Sequence, residues 1–431
     1  MKSVVWSDLS QAEQAAVLQR PPNRSDPQLI EDVRGIIEAV RAQGWAAVER
    51  YSRAIDHAEP EAIEVEPVAE AARNALDPEL VAAIELAASN IERFHAETKP
   101  SDVSIETMPG LKVSKVWRPV EHAGLYVPGG SAPLFSTLLM LAIPARAARV
   151  DQLTVMTPPR AAGGLDPAVA LAAQICGLER VWTIGGAQAI AALAFGAGDI
   201  EQADLICGPG NAWVSAAKSL VASLPGGPRI DLPAGPSELM IIADESADAC
   251  WLAADLLSQA EHDRHAQVIL VTDSRDVARV VVEEIGRQLE EFPRAAIARA
   301  ALETGRVILI DDLSSAISIA NAYAPEHLSL ALARPESFAA AVCNAGAIFL
   351  GMSAAESFGD YLAGSSHVLP TDGAARAWGG VSTQTFMKSM TVQCVSPGAV
   401  KAIARPAALM ARAEGLEAHA RAAEFRLECV A

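Results

Sequence analysis

The chain has 431 residues, 51% of them apolar and 20% charged, with a formal net charge of −19. That length exceeds one typical core, so two or more domains are expected, with ample apolar material to bury. The acidic balance argues against a nucleic-acid surface, whose phosphates it would repel, and needs no explanation beyond solubility.

From Asp26 to about Lys99 the pattern is helical. Asp77 is placed to cap a helix whose Leu80, Ile84, Ala87, Ile91 and Phe94 recur at spacings of three and four. Met108-Pro-Gly110 marks a turn between two strands, the second over Leu111–Val116. The chain then alternates as parallel α/β units do. A strand ends at Tyr126, Pro128-Gly-Gly-Ser131 turns, and a helix follows from Leu134. Next come strand Leu153–Met156, a helix near Ala168–Cys176, strand Val181–Ile184, a helix from Ala187, strand Leu205–Cys207 and a helix through Val221.

A second set starts with strand Leu239–Ile242, helix Ala247–Ala260, strand Val268–Val271 and helix Asp276–Leu289. Strand Val307–Ile310, helix Ala316–Tyr323 and strand Ala347–Leu350 complete it. From Pro397 to Leu427 the pattern is helical, interrupted at Pro406.

The N-terminus meets a charge too early for a signal peptide, and no apolar run approaches the ~18 residues of a membrane span. Six scattered cysteines (Cys176, Cys207, Cys250, Cys343, Cys394, Cys429) include no Cys-x-x-Cys pair, which reads as thiols in a reducing compartment. A cytoplasmic protein without membrane or nucleic-acid contact is the expectation.

Gly208-Pro-Gly210-Asn211 lies between a predicted strand and helix, where backbone amides can hold a phosphate. The third glycine of the dinucleotide fingerprint is replaced by Trp213, and Gly185-Gly-Ala-Gln188 lacks the fingerprint too. Both serve equally as ordinary turns, the commoner use. Gln259 and His262, three apart near a helix end, point to one side and can present an oxygen and an imidazole to one metal ion, or simply be solvated. Glu326-His327 supplies two adjacent bases, or a surface loop pair. Asp360 can ligate or cap. Glu414 and His419 are five apart on what reads as one helix, roughly 140° apart around its axis.

Taken jointly, these fragments resemble histidinol dehydrogenase over nearly the whole chain, from Asn90-Ile-Glu-Arg-Phe-His95 to the C-terminal helix. The most specific pieces run from Gly124 to Thr137, from Gly185 to Gly196, from Cys207 to Asn211, from Asp231 to Glu238 and from His367 to Thr371. The resemblance implies an α/β fold of two Rossmann-like doubly wound domains, with an N-terminal helical arm and a C-terminal helical tail. Its division is 1–23 for the arm, 24–125 with 238–378 for a discontinuous first α/β domain carrying zinc and catalytic residues, 126–237 for the domain with the NAD contacts, and 379–431 for a dimerisation tail.

The family's zinc ligands fall on Gln259, His262, Asp360 and His419, one ion per subunit. Its substrate contacts fall on these four and on Ser237, His327 and Glu414; its NAD contacts fall on Tyr126, Gln188 and Asn211. The implied reaction takes L-histidinol through L-histidinal to L-histidine with two NAD. His327 is then the base for the alcohol and Glu326 the base for the attacking water. The resemblance further implies a homodimer in which the tail crosses, so that Glu414 and His419 complete the partner's site.

Departures are small: Ser366 stands where the family more often has Asn, and His265 follows the ligand helix as a loop histidine. His57, His95 and His122 read as structural or surface residues. A relative oxidising another primary alcohol, such as a sulfonated diol, would keep zinc and bases but alter Ser237 or Glu414, and both are in place. A non-catalytic relative would lose a base, and neither Glu326 nor His327 is lost.

Overall fold

The computed structural model describes residues 1–21, 27–129, 133–161, 163–233 and 235–430. The helix expected from Asp26 begins at Pro27, and parts of the turns at Pro128–Ser131 and Asp231–Glu238 lie outside the described residues. In chain order the strands are β1 (Lys2–Val5), β2 (Ala62–Glu64), β3 (Val103–Met108), β4 (Leu111–Pro119) and β5 (His122–Tyr126). Then follow β6 (Gln152–Thr157), β7 (Arg180–Thr183), β8 (Leu205–Cys207), β9 (Arg229–Ile230) and β10 (Glu238–Ala243). The rest are β11 (Gln267–Thr272), β12 (Arg306–Leu309), β13 (His327–Ala331), β14 (Ala347–Leu350) and β15 (Met387–Val395).

The chain divides into two compact units, one of residues 1–98 and 121–386 and a smaller one of residues 99–120 and 387–431. The larger holds two six-stranded sheets, ordered β1-β12-β11-β10-β13-β14 and β2-β7-β6-β5-β8-β9. The first is parallel throughout, and the second is parallel except where β2 meets β7.

In the first sheet β10, β11 and β13 are buried along their whole length, as near-continuous apolar runs in parallel sheets are. Alternate residues serve opposite faces. Leu239 and Ile241 join the core beneath helices Ala249–Ala260, Arg275–Gln288 and Ala295–Thr304, while Met240 and Ile242 join the core beneath Ser314–Tyr323. The second sheet is covered on one face by helices Pro27–Gln43, Trp45–Tyr51, Gly186–Phe195 and Ala212–Ala222. Helix Gly186–Phe195 comes so close that a Cβ on Gly124 would stand 2.7 Å from the Leu193 side chain.

The turn after β8 is set by a buried ion pair. Lys218 Nζ lies 2.5 Å from Asp231 Oδ1 and donates to the Gly208 carbonyl at 2.7 Å, while Gly208 N–H donates to Asp231 Oδ2 at 2.7 Å. Gly208 has φ 127°, and a Cβ there would fall 2.0 Å from the Tyr126 carbonyl oxygen.

Several expectations need correction. β2 interrupts the N-terminal helical run, and three residues of edge strand are too short to show a period. β2 and β5, assigned above to the first α/β domain, pair in the sheet of β6–β9, and β1 makes the arm part of the other sheet. Phe94 is exposed and its neighbour His95 is buried instead.

The smaller unit combines the antiparallel sheet β15-β4-β3 with helices Pro397–Ala413 and Glu417–Val430. Pro406 does not break the first helix, since its freed carbonyl partner, that of Ala402, lies on the exposed side. The break comes at Gly415 (φ 78°), where Gly415 N–H donates to Arg412 and Leu416 N–H to Ala411 in a Schellman turn. Glu414 therefore caps one helix and His419 lies in the next, contrary to the single helix expected.

Removing the Lys218 charge leaves Asp231 buried and uncompensated, which costs about 3–5 kcal/mol. Lys218→Met is expected to lower the urea midpoint accordingly; an unchanged midpoint would show that the pair does not hold this turn.

Candidate active site

Carboxylates and imidazoles gather at the amino ends of β10 and β13. The two strands are parallel neighbours with Leu239 opposite His327, so Glu238 and the Glu326-His327 pair start side by side. Helix Ala249–Ala260 runs back from the carboxyl end of β10 and delivers Gln259 to the same edge, buried. Helix Glu356–Tyr361 adds Glu356 and Asp360, four apart and hence on one face. It approaches because Gly359 has no side chain: a Cβ there would be 2.6 Å from the Phe349 ring.

His327 is the centre. Its Nδ1 donates to the Glu238 carbonyl at 3.2 Å and lies 3.6 Å from both Glu326 Oε2 and Glu356 Oε1. Its Nε2, 3.4 Å from Asp360 Oδ1, has no hydrogen-bond partner among the described residues. The carbonyl contact fixes the proton on Nδ1 and leaves Nε2 as the atom able to exchange one or meet a ligand.

Glu326 Oε2 accepts the Glu238 N–H at 2.8 Å. The Gln259 amide is oriented by its partners, its nitrogen donating to Glu356 Oε1 and its oxygen accepting from Glu238 N–H at 2.9 Å. His367 ties the cluster to the second sheet: Nδ1 donates to the Asp360 carbonyl at 3.0 Å and Nε2 accepts from Thr137 Oγ1 at 2.8 Å.

The electrostatics follow from burial. Burial pushes Glu326 up to about 8 and drives Glu356 well above the usual carboxylate range. For His327 burial acts downward, but the carboxylates of Glu356, Glu326 and Asp360 outweigh it and raise it to about 10. Burial opposes ionisation of Asp360 as well, yet contact with His327 holds it below its ordinary value. His327, Glu356 and Asp360 offer ligand atoms within 4.8 Å of one another, a group able to hold a metal ion.

The sequence expectations divide accordingly. Gln259, Glu326, His327 and Asp360 come together, and exposed His262 lies within electrostatic reach of Asp360 and His327. Half-buried Ser237 immediately precedes Glu238, and its carbonyl accepts from Gln267 N–H at 2.9 Å. Glu414 and His419 belong to the smaller unit. Glu356 was missed, although its spacing from Asp360 marks two acids on one helical face. Glu238 closes the Asp231–Glu238 motif, which implies no role for it, and nothing in the sequence points to Arg20. His95 is fully buried with both ring nitrogens unpartnered among the described residues, and His122 is held by Gln202 and Thr154, so neither is a surface residue.

Tyr126, Gln188 and Asn211 gather at the carboxyl ends of the second sheet. β5 and β8 are adjacent there while the chain proceeds from β5 to β6 on the other side, which is the switch point where α/β sheets bind ligands. Buried Tyr126 accepts Gly186 N–H at 3.2 Å on its hydroxyl, and fully buried Gln188 donates to Asp56 at 3.0 Å. Asn211 caps helix Ala212–Ala222 by accepting from Trp213 and Val214 N–H. A cleft of about 250 Å³ lined by Gly129, Thr157, Pro158 and Arg160 opens at this edge.

A family profile for histidinol dehydrogenase matches residues 18–427. A histidinol dehydrogenase of Xylella fastidiosa (strain Temecula1) is 45% identical over 429 residues, covering 99% of each chain. One of Vibrio vulnificus (strain CMCP6) is 42% identical with the same coverage. The crystal structure of histidinol dehydrogenase from Elizabethkingia anophelis superposes with a TM-score of 0.95 at 40% identity, covering 100% of this chain and 98% of that one.

In metal-free protein the His327 ring is expected to remain an imidazolium at pH 8 and to titrate near 10. Nitrogen-15 NMR of labelled histidine, assigned with His327→Asn, measures this directly. Titration between pH 6 and 7 would show that the three carboxylates do not act on the ring as their distances imply.

Proposed function

We propose that this chain, which belongs to the histidinol dehydrogenase family, oxidises L-histidinol through L-histidinal to L-histidine with two NAD, using one zinc ion per subunit. Membership makes it an oxidoreductase of histidine biosynthesis. One observation carries the finer reading: a buried imidazole bracketed by Glu326, Glu356 and Asp360, whose Nε2 has no hydrogen-bond partner among the described residues.

The donors fit zinc, which takes imidazole and carboxylate ligands. Gln259, His262, Asp360 and His419 would hold it; Asp360 also belongs to the group that His327 and Glu356 form. Three acids, Glu326, Glu356 and Asp360, surround one imidazole, a charge balance that favours a cation. When bound, zinc supplies positive charge that orients the amino alcohol and returns His327 toward neutrality. Tyr126, Gln188 and Asn211 would hold NAD, which takes up the hydride at each oxidation.

In the first oxidation His327 Nε2 removes the hydroxyl proton as the carbon–hydrogen bond gives up its hydride, leaving the aldehyde. Glu326 then takes a proton from water, whose oxygen adds to the carbonyl carbon, and the carbonyl oxygen takes up the proton that His327 removed in the first step, giving the gem-diol. Loss of a second hydride and a proton from the diol gives the carboxylic acid. Burial has moved Glu326 into the range where a carboxylate both accepts and releases a proton near neutrality. Ser237 and Glu414 are assigned to the substrate.

The enzyme is further proposed to be a homodimer whose tail, 379–431, crosses so that Glu414 and His419 serve the partner's site. Support comes from the smaller unit, where Ile105, Val392, Leu409, Met410 and Phe425 are exposed together with other apolar side chains. Exposed apolar residues in that number mark an interaction surface. Among the described residues no helix is long and apolar enough to cross a membrane.

With zinc stripped and then restored, L-histidinol is expected to yield two NADH per histidine only in the restored enzyme. Metal-independent turnover would remove zinc from the reading. His327→Asn is expected nearly to abolish the first oxidation, and Glu326→Gln to slow chiefly the aldehyde step. Equal loss of both half-reactions in Glu326→Gln would refute its assigned part. Co-expressed His327→Asn and His419→Asn chains should regain activity, because a crossing tail leaves one site of each mixed dimer intact; continued inactivity would place both residues in one subunit's site.

A further inference from the structure

Glu238 is the junction of the acidic cluster, and it does its work there with its backbone. Its N–H donates to Glu326 Oε2 and its carbonyl accepts a hydrogen bond from His327 Nδ1. The placement of both bases therefore depends on one peptide segment at the start of β10. What fixes that residue is its side chain, which is almost fully buried and bonded to groups other than the bases. Arg20, from the N-terminal segment, grips it with two bonds, Nε to Oε1 at 2.5 Å and Nη2 to Oε2 at 2.8 Å. A third bond, from Asp372 N–H to Oε1 at 2.9 Å, completes the hold.

Arg20 is itself anchored. Its Nη2 donates to the Tyr323 carbonyl at 3.0 Å, and the guanidinium lies over the Tyr323 ring with its carbon 3.9 Å from the centroid. Tyr323 ends the helix that leads to Glu326-His327, with Ala324 in the left-handed region closing it. Arg20 thus touches both segments that carry the site, the start of β10 through Glu238 and the approach to β13 through Tyr323. A planar fork can do this; the point charge of a lysine cannot bind both carboxylate oxygens in the same way.

We propose that Arg20 is a positioning residue for the reaction: by locking the Glu238 carboxylate it holds Glu326 and His327 in register with each other. This rests on the roles given above to the two bases. A misplaced catalytic group can cost on the order of 10²-fold in rate even when the substituted residue lies away from the chemistry. Because Glu326 and His327 are both held by the backbone of Glu238, both oxidations should suffer together. Glu326→Gln, by contrast, should single out the aldehyde step.

The experiment uses the full-length zinc-loaded enzyme and measures kcat and KM separately with L-histidinol and with L-histidinal. Arg20→Met is expected to lose kcat by a similar factor in both, with KM for NAD unchanged, and millimolar methylguanidinium should restore part of the loss in Arg20→Ala. A small cleft beside Arg20, Pro21, Pro236 and Asp372 gives that ion a way in. Arg20→Lys answers the case in which Arg20→Met does not fold: reduced kcat at an unchanged melting temperature supports the proposal, and full kcat overturns it. Glu238→Gln should lose as much as Arg20→Met, and the double variant no more than either, since both act through one contact. Independent, additive losses would overturn it. Wild-type enzyme that forms no NADH from L-histidinol would overturn the functional reading and this inference together.

Discussion

One buried imidazole faces more carboxylate than it can neutralise, and the arrangement of the larger unit turns on that imbalance. Taking a carboxylate out of water is costly unless it finds a cation or hydrogen-bond donors. Glu238 finds Arg20, and its backbone holds the Glu326 and His327 side chains. Glu326 finds a backbone N–H, Asp360 finds His327, and Glu356 is left with the Gln259 amide and one oxygen unpartnered among the described residues. Compensation is complete at the outer acid and incomplete at the inner ones. An apolar core would be the more stable filling for such a volume, so a deficit kept at this one place is a sign of chemistry rather than of packing.

Much of this fold is legible in the sequence because parallel strands buried on both faces must be apolar throughout. The runs at 239–242, 268–271 and 205–207 announce themselves, and the helices between them follow by elimination. What escapes is whatever depends on distant partners. β2 is a strand only because β7 offers it an edge, and no local pattern distinguishes its three residues from the helical run around them. The pairing of β5 with β6 and β8, and not with the later sheet, is likewise a property of the assembled sheet. Pro406 misleads for the opposite reason: proline is read as a breaker, yet on an exposed helical face the lost bond is repaired by water.

The site shows the same division. Gln259, Glu326, His327 and Asp360 were reachable through the resemblance, and the structure brings these four together. Spacing alone left each of them open, since every fragment fits a solvated loop or helix end as well. Glu356 was legible in principle from its distance to Asp360, but two acids four apart occur on many surface helices. Arg20 was not legible at all: it sits 218 positions from Glu238 in the chain, and only the folded molecule makes them partners.

The two candidate ligand edges have opposite polarity, which suits the two ligands proposed for them. In a parallel sheet with crossover helices, the carboxyl edge presents helix N-termini and the amino edge presents helix C-termini. Helix N-termini carry partial positive charge and favour phosphate, and C-termini carry partial negative charge and favour cations. Asn211 opens helix Ala212–Ala222 at the carboxyl edge of the second sheet, where a dinucleotide's pyrophosphate would be stabilised. Gln259 lies in the last turn of helix Ala249–Ala260 at the amino edge of the first sheet, among carboxylates, where a dication would be. Thr137 and His367 join these halves through half-buried side-chain bonds that end on the Asp360 carbonyl. An oxidation that needs a cation to orient an alcohol and a dinucleotide to accept hydride requires both polarities within one reach. A single doubly wound sheet keeps them on opposite edges, separated by the length of its strands; two such sheets, joined through Asp360, can turn one edge of each toward the same substrate.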